Sequence, residues 1–158
     1  MINLSLNNNL FPFIIAATSL MLCACEQHNA QSLTTIADAR NNPAYYIDNG
    51  EPGDSVGDIL VFDQPLLDKD MKTIGNNSGS CIRTRVGHSY QCQWTLTFDN
   101  KTHDSGTIQV AGRENDKGLS SISIVGGTGI YSGIIGEMES TNNNDGTFTQ
   151  VLHYSLKE

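Results

Sequence analysis

The sequence is short of basic residues. Nine Lys and Arg stand against 17 Asp and Glu, which gives a formal net charge of −8 at pH 7. The first basic residue is Arg40, and no basic cluster follows it. Because nucleic acids, heparin-like polymers and anionic lipid headgroups are held by clustered positive charge, the composition argues against all three as partners.

Motifs for metal binding and hydrolysis are missing as well. The four histidines are scattered, without the close spacing that brings two imidazoles to one metal ion: they are His28, His88, His103 and His153. No nucleophile elbow and no ordered Ser, His and Asp set is visible. We therefore expect no metal site, no cofactor and no hydrolase chemistry.

An acidic segment could be mistaken for a calcium loop. It contains Asp48, Glu51, Asp54 and Asp58. The spacing of these carboxylates does not follow the ordered ligand pattern of a calcium loop, and Pro52 interrupts it. We expect a solvated loop at the rim of the fold.

The one long apolar run, residues 10–22, is too short to span a bilayer comfortably as a helix. It leads into Leu22-Cys23-Ala24-Cys25. Leu three residues before a cysteine, and a small residue just before it, are typical of a lipobox, so Cys25 is the predicted lipidation site. An ordinary secretory signal and a buried helix are the alternatives, since no basic residue precedes the run.

These features predict the organisation of the chain. Residues 1–24 are a lipoprotein signal peptide, residues 25–32 a tether, and residues 33–158 one domain with a proper core. The domain then works outside the cytoplasm, held to a bacterial membrane by lipidated Cys25 or secreted. A lipid anchor is the only membrane contact we expect.

Alternating polarity marks the rest of the chain as strands. From residue 90 to residue 99, every second side chain is apolar or aromatic, and the intervening ones are polar. A weaker alternation recurs around residues 108–110, 122–124 and 148–156. The inward face is predicted to line a cavity for a small ligand, with Trp94, Leu96, Phe98, Phe148, Leu152 and Tyr154.

Turn signals separate these strands and predict an antiparallel up-and-down β-barrel. They lie at Val86-Gly87, at residues 99–101, at residues 114–118 and at Asn144-Asp145-Gly146. A hairpin turning at Val86-Gly87 places Cys81 opposite Cys92. In an oxidising compartment, this geometry predicts a disulfide.

The Gly126-Gly127-Thr128-Gly129 run suggests a phosphate loop, but such loops need a helix directly afterwards. Gly-rich and β-branched residues follow here. We predict a turn and bulge at the barrel rim, with Tyr131 folding over the mouth.

Several segments resemble the allene oxide cyclases and dirigent proteins. The motifs are NPAYYIDNGEPGDSVGDILVF from Asn42, the cysteine segment SGSCIRT, QCQWTLTF, GTIQVAG and VGGTGIYSGIIGEM. The resemblance covers roughly residues 33–157. It implies an all-β fold, an eight-stranded antiparallel β-barrel, and homotrimers formed through the outer barrel faces.

The same resemblance implies site residues. Counting back from Pro43, which is kept, places Thr34 at the catalytic glutamate of the cyclases and Ile36 at a nearby asparagine. A second asparagine falls on Gln64. Gln64 and Pro43 are therefore the catalytic candidates, and Cys81 matches a site cysteine, which leaves a free thiol as the alternative to a disulfide.

Three functions fit these residues. The first is a dirigent-like barrel that binds a small apolar or aromatic molecule. The second is an isomerase or cyclase acting on an epoxide of fatty-acid or terpenoid origin, although a hydroxyl at Thr34 cannot stabilise a cationic intermediate as a carboxylate does. The third is a structural envelope lipoprotein with a filled barrel. A lack of carboxylates on the apolar strand faces favours the first or third.

Overall fold

A computed structural model describes residues 29–99 and 105–157. Cys25 and the predicted signal peptide lie outside these residues, as does most of the predicted turn at residues 99–101. Nine strands form: β1 (Gln31–Asp38), β2 (Tyr45–Ile47), β3 (Ile59–Leu67), β4 (Thr73–Arg85), β5 (Ser89–Phe98), β6 (Gly106–Asn115), β7 (Leu119–Gly129), β8 (Ile134–Asn142) and β9 (Thr147–Leu156).

The strands form a closed antiparallel barrel, which confirms the predicted fold. From β3 to β9 each strand pairs with the next, and β1 pairs with β9 along its whole length. The barrel closes where Ile36 and Ala37 pair with Leu67 and Leu66 of β3. The three-residue β2 pairs with the other half of the same edge of β3. Eight strands thus form the wall, and β2 completes the seam.

The two ends of the barrel differ. We call the end with the turns at residues 86–88, 116–118 and 143–146 the mouth, and the opposite end the base. At the mouth, Gly87 and Gly118 have φ of +68° and +79°, a conformation that favours glycine. Tight turns fix the strand register, and the predicted pairing of Cys81 with Cys92 is observed.

The base is packed solid. Leu66, Leu96, Ile108, Met138 and Leu152 have no exposed surface. Tyr131, in the turn after β7, packs on Phe98 and Tyr154 with ring centroids 4.9 and 6.2 Å away. The prediction that Tyr131 covers the mouth is wrong, because the β7–β8 turn lies at the other end of the barrel.

The glycine run lies at the end of β7, where a register shift leaves Val125 out of the pairing with β6. A turn follows rather than a helix, as expected for a bulge and not for a phosphate loop. In the described part of the chain, we find no helix with the length and apolar character needed to cross a bilayer.

Candidate functional site

A cavity of about 680 Å³ opens at the mouth of the barrel. Inward side chains of β1, β3 to β6, β8 and β9 line it, together with Ala39, Pro43 and Ala44 in the segment between β1 and β2. Its volume lies within the range of small-molecule sites, roughly 300–1,000 Å³. The barrel is therefore filled at its base and hollow at its mouth.

One row across three strands builds the aromatic wall of the cavity. Phe62 on β3, Gly79 on β4 and Trp94 on β5 are direct register partners. The rings of Phe62 and Trp94 meet edge to face at 6.2 Å, a favourable aromatic geometry. Gly79 makes this contact possible, because a Cβ atom there would lie 2.3 Å from Cβ of Trp94.

The disulfide lies in the next row towards the mouth. Cys81 and Cys92 are bonded, and Cys81 pairs with Leu60 of β3. The predicted bridge is thus confirmed, and the free-thiol alternative for Cys81 is wrong. Cys81 still contributes to the cavity wall, but as part of a covalent link between β4 and β5.

Two polar atoms near the cavity have no partner in the described structure. Nε1 of Trp94 and Oδ1 of Asn77 are buried and make no hydrogen bond, although both residues line the cavity. Buried donors and acceptors are normally paired. The cavity wall thus holds one donor and one acceptor that the protein itself does not use.

A buried arginine organises the rim. Arg83 Nε donates to Asp54 at 2.6 Å, and its Nη1 donates to Asp116 at 2.6 Å. Its guanidinium also lies 3.6 Å from the ring centroid of Tyr90. Burial alone would lower the pKa of Arg83, but the hydrogen bonds that it donates to Asp116 and Asp54 outweigh this effect and raise that pKa. Arg83 therefore stays charged and joins three segments of the mouth.

The acidic segment is anchored rather than fully solvated. Asp58 is completely buried and accepts hydrogen bonds from the Tyr46 hydroxyl, the Asn49 backbone amide and the Ser55 backbone amide and hydroxyl. The Tyr46 bond, followed by the backbone bonds, lowers the pKa of Asp58 to about 2. The expected solvated loop is thus wrong for Asp58, which ties the loop to β2 at the mouth end of the barrel.

A carboxyl group lies inside the cavity. Glu114 follows Ile108, Val110 and Gly112 on the inward face of β6 and accepts a 2.8 Å hydrogen bond from Oγ of Ser140. Burial raises the pKa of Glu114, and the bond from Ser140 opposes that rise. The expectation of no carboxylate on the apolar strand faces is wrong. The alternation of β6 continues through Gly112, and following it to Glu114 would have found this residue.

The six predicted ligand-binding residues divide between the two halves of the barrel. Trp94 and Phe148 line the cavity. Leu96, Phe98, Leu152 and Tyr154 belong to or pack on the core below it. Of the six predicted ligand contacts, only Trp94 and Phe148 therefore lie at the cavity, and their role in binding stays a prediction. No group of three or more metal-ligating side chains occurs in residues 29–99 and 105–157.

Comparison with known proteins identifies the family. A family model described as dirigent-like protein matches residues 21–157. The chain belongs to the dirigent-like protein family. A search of curated proteins gives no match.

Solved structures show the same barrel as this dirigent-like chain. A pyocyanin demethylase is 24% identical over 80% of this chain and 100% of its own, with a TM-score of 0.64. A pterocarpan synthase dirigent protein is 18% identical over 84% of this chain and 99% of its own, with a TM-score of 0.63. The Diels-Alderase AbmU from Streptomyces koyangensis is 18% identical over 84% of this chain and 72% of its own, also with a TM-score of 0.63. At these identities, the comparison establishes the fold alone.

The catalytic residues inferred from resemblance can now be located in the dirigent-like barrel. Gln64 and Pro43 both line the cavity. Thr34 is exposed on the outside of β1, whereas its neighbour Thr35 is buried and donates to Gln150 at 3.0 Å. Thr34, which the ungapped count matches to the catalytic glutamate, therefore does not lie in the cavity, because successive residues of a strand face opposite sides of the sheet.

Proposed function

We propose that this dirigent-like barrel binds a small apolar or aromatic molecule in the mouth cavity, and that it does so outside the cytoplasm. The observation that carries the proposal is the cavity of about 680 Å³ with an aromatic wall. Burial of apolar ligand surface contributes about 25 cal/mol per Å². The rings of Trp94, Phe62 and Phe148 offer such a surface, and the filled-barrel function does not account for it.

The location outside the cytoplasm rests on two features. The Leu22-Cys23-Ala24-Cys25 segment is typical of a lipoprotein signal, and the Cys81–Cys92 bond is of a kind that persists in oxidising compartments. Together they support an anchored or secreted protein.

The first test uses Trp94, the single tryptophan of the chain. Binding of a neutral aromatic probe such as 1-methylnaphthalene should change Trp94 fluorescence. Phe148→Ala should weaken binding about tenfold, because a ring is lost from the wall. Tyr45→Ala is the matched control, since Tyr45 is 80% exposed on the outside. An unchanged Trp94 signal at saturating probe, or equal losses in the two variants, would contradict binding in this cavity.

The second test concerns the anchor. If Cys25 carries the lipid, Cys25→Ala should move the full-length protein from the membrane fraction to the soluble fraction of its host. Mass spectrometry should detect acyl chains on the wild-type N-terminus only. Cys23→Ala is the control and should keep its lipid. Membrane association that survives in Cys25→Ala, with no acyl mass on the wild type, would refute the anchor.

Glu114 favours a second candidate function. An acid with a raised pKa inside an apolar cavity can donate a proton or stabilise a developing positive charge. This supports an isomerase or cyclase acting on an epoxide of fatty-acid or terpenoid origin. Cyclisation of an allene oxide above the spontaneous rate, lost in Glu114→Gln, would favour the cyclase over a binding protein.

A further inference from the structure

We propose that the ligand of this cavity is an aromatic cation, held by Glu114 together with the aromatic wall. This inference rests on the proposed binding function and names the chemical class of the ligand. Around the cavity, the positive charge of Arg83 is paired with carboxylates of the protein, whereas the negative charge of Glu114 is not paired with a cation in the part of the chain that the structure describes.

The positive charge in the cavity wall is already neutralised. Arg83 is the basic residue among those lining the cavity, and it is bound by both Asp54 and Asp116. A ligand carboxylate would have to compete with these two aspartates at 2.6 Å. An anionic ligand therefore finds no free positive partner there.

The negative charge of Glu114 has no such partner. None of the four ion pairs in the described residues includes it, and Ser140 supplies a single hydrogen bond from a neutral hydroxyl. Tyr90 lies directly opposite Glu114 on β5, but its ring is covered by the Arg83 guanidinium. A partly buried carboxylate without a cation is unfavourable, and a cationic ligand would remove that penalty.

The cavity wall suits a delocalised cation in a second way. The faces of aromatic rings attract cations, more strongly when water is excluded. Phe62, Trp94 and Phe148 line the cavity that Glu114 enters. A flat cation with its charge spread over a ring can meet these aromatic residues and the carboxylate together.

Binding of a permanent cation should also depend on pH. Burial raises the pKa of Glu114, so this carboxyl group ionises, and can pair with a cation, at a higher pH than an exposed glutamate does. Affinity should therefore rise with pH until Glu114 is fully ionised. The other titratable groups near it are Tyr90, whose pKa burial raises, and Asp116 and Asp54, which are engaged by Arg83.

The test compares two probes of one shape in titration calorimetry. N-methylquinolinium carries a permanent charge, and 1-methylnaphthalene is its neutral counterpart. The wild type should bind the cation at least tenfold more tightly. Glu114→Gln, which keeps the shape and the Ser140 contact, should abolish that preference and leave the neutral probe within about twofold. It should also remove the rise of cation affinity with pH.

The matched control is Glu137→Gln. Glu137 is exposed on the outside of β8 and accepts a 3.3 Å hydrogen bond from Ser121 on the neighbouring strand, so the variant changes the net charge equally. It should keep the cation preference. Equal binding of the two probes by the wild type, or a preference that survives in Glu114→Gln, would overturn the proposal while leaving a neutral-ligand cavity intact. Failure of both probes to bind the wild type would overturn the binding function as well.

Discussion

Replacing Gly79 with Ala should destabilise the protein by about 3 kcal/mol, an overpacking effect at the upper end of the usual range. A Cβ atom at residue 79 would lie 2.3 Å from Cβ of Trp94 and 2.4 Å from the carbonyl oxygen of Gln93. These atoms belong to the paired strand, which cannot move away without breaking the ladder between β4 and β5. Urea unfolding followed by Trp94 fluorescence would measure the change.

Gly126→Ala provides the control for that experiment. Gly126 also lies in a strand, but a Cβ atom there would meet nothing within 4 Å. We expect its stability to change by less than about 0.5 kcal/mol. If the two variants unfold at the same urea concentration, close packing of Gly79 against Trp94 does not determine the stability of this wall.

Removal of the disulfide should have a comparable effect. Cys81 and Cys92 are 11 residues apart, and a closed loop of this length stabilises the folded state by about 3 kcal/mol through the unfolded chain. The double variant Cys81→Ser, Cys92→Ser should therefore melt about 10 °C below the wild type in a calorimetric scan.

A reducing agent gives an independent check. It should lower the melting temperature of the wild type towards that of the double variant and leave the double variant unchanged. A reduced wild type that melts within about 2 °C of the oxidised protein would show that the bond contributes little stability.

The strand register could be predicted because local turns determine it. The short turn at Val86-Gly87 fixes the hairpin, and the period of two then assigns every side chain of β5 to a face. The disulfide follows from the same register. Most of the correct predictions therefore concern residues that are close in sequence and joined by a tight turn.

The site was harder to predict because it is assembled from distant segments. The Arg83 cluster joins Asp54 in a long loop to Asp116 in a turn, and no local pattern indicates that contact. Glu114 is difficult to predict for a different reason, because it lies at the last inward position of β6, where the sequence pattern predicts a turn. Thr34 faces outward although the count from Pro43 places it in the site, and in a strand a count that is off by one residue reverses the face of the side chain.

The barrel is packed at one end and open at the other, and the N-terminal segment joins it at the packed end. β1 begins and β9 ends at the base, where Gln31 pairs with Tyr154, so the chain that precedes β1 meets the barrel at the end opposite the mouth. If Cys25 holds a lipid, the short tether sets the base towards the bilayer and turns the mouth to the surrounding water. The ligand would then exchange with the aqueous compartment and not with the membrane. It would enter and leave the cavity through the mouth.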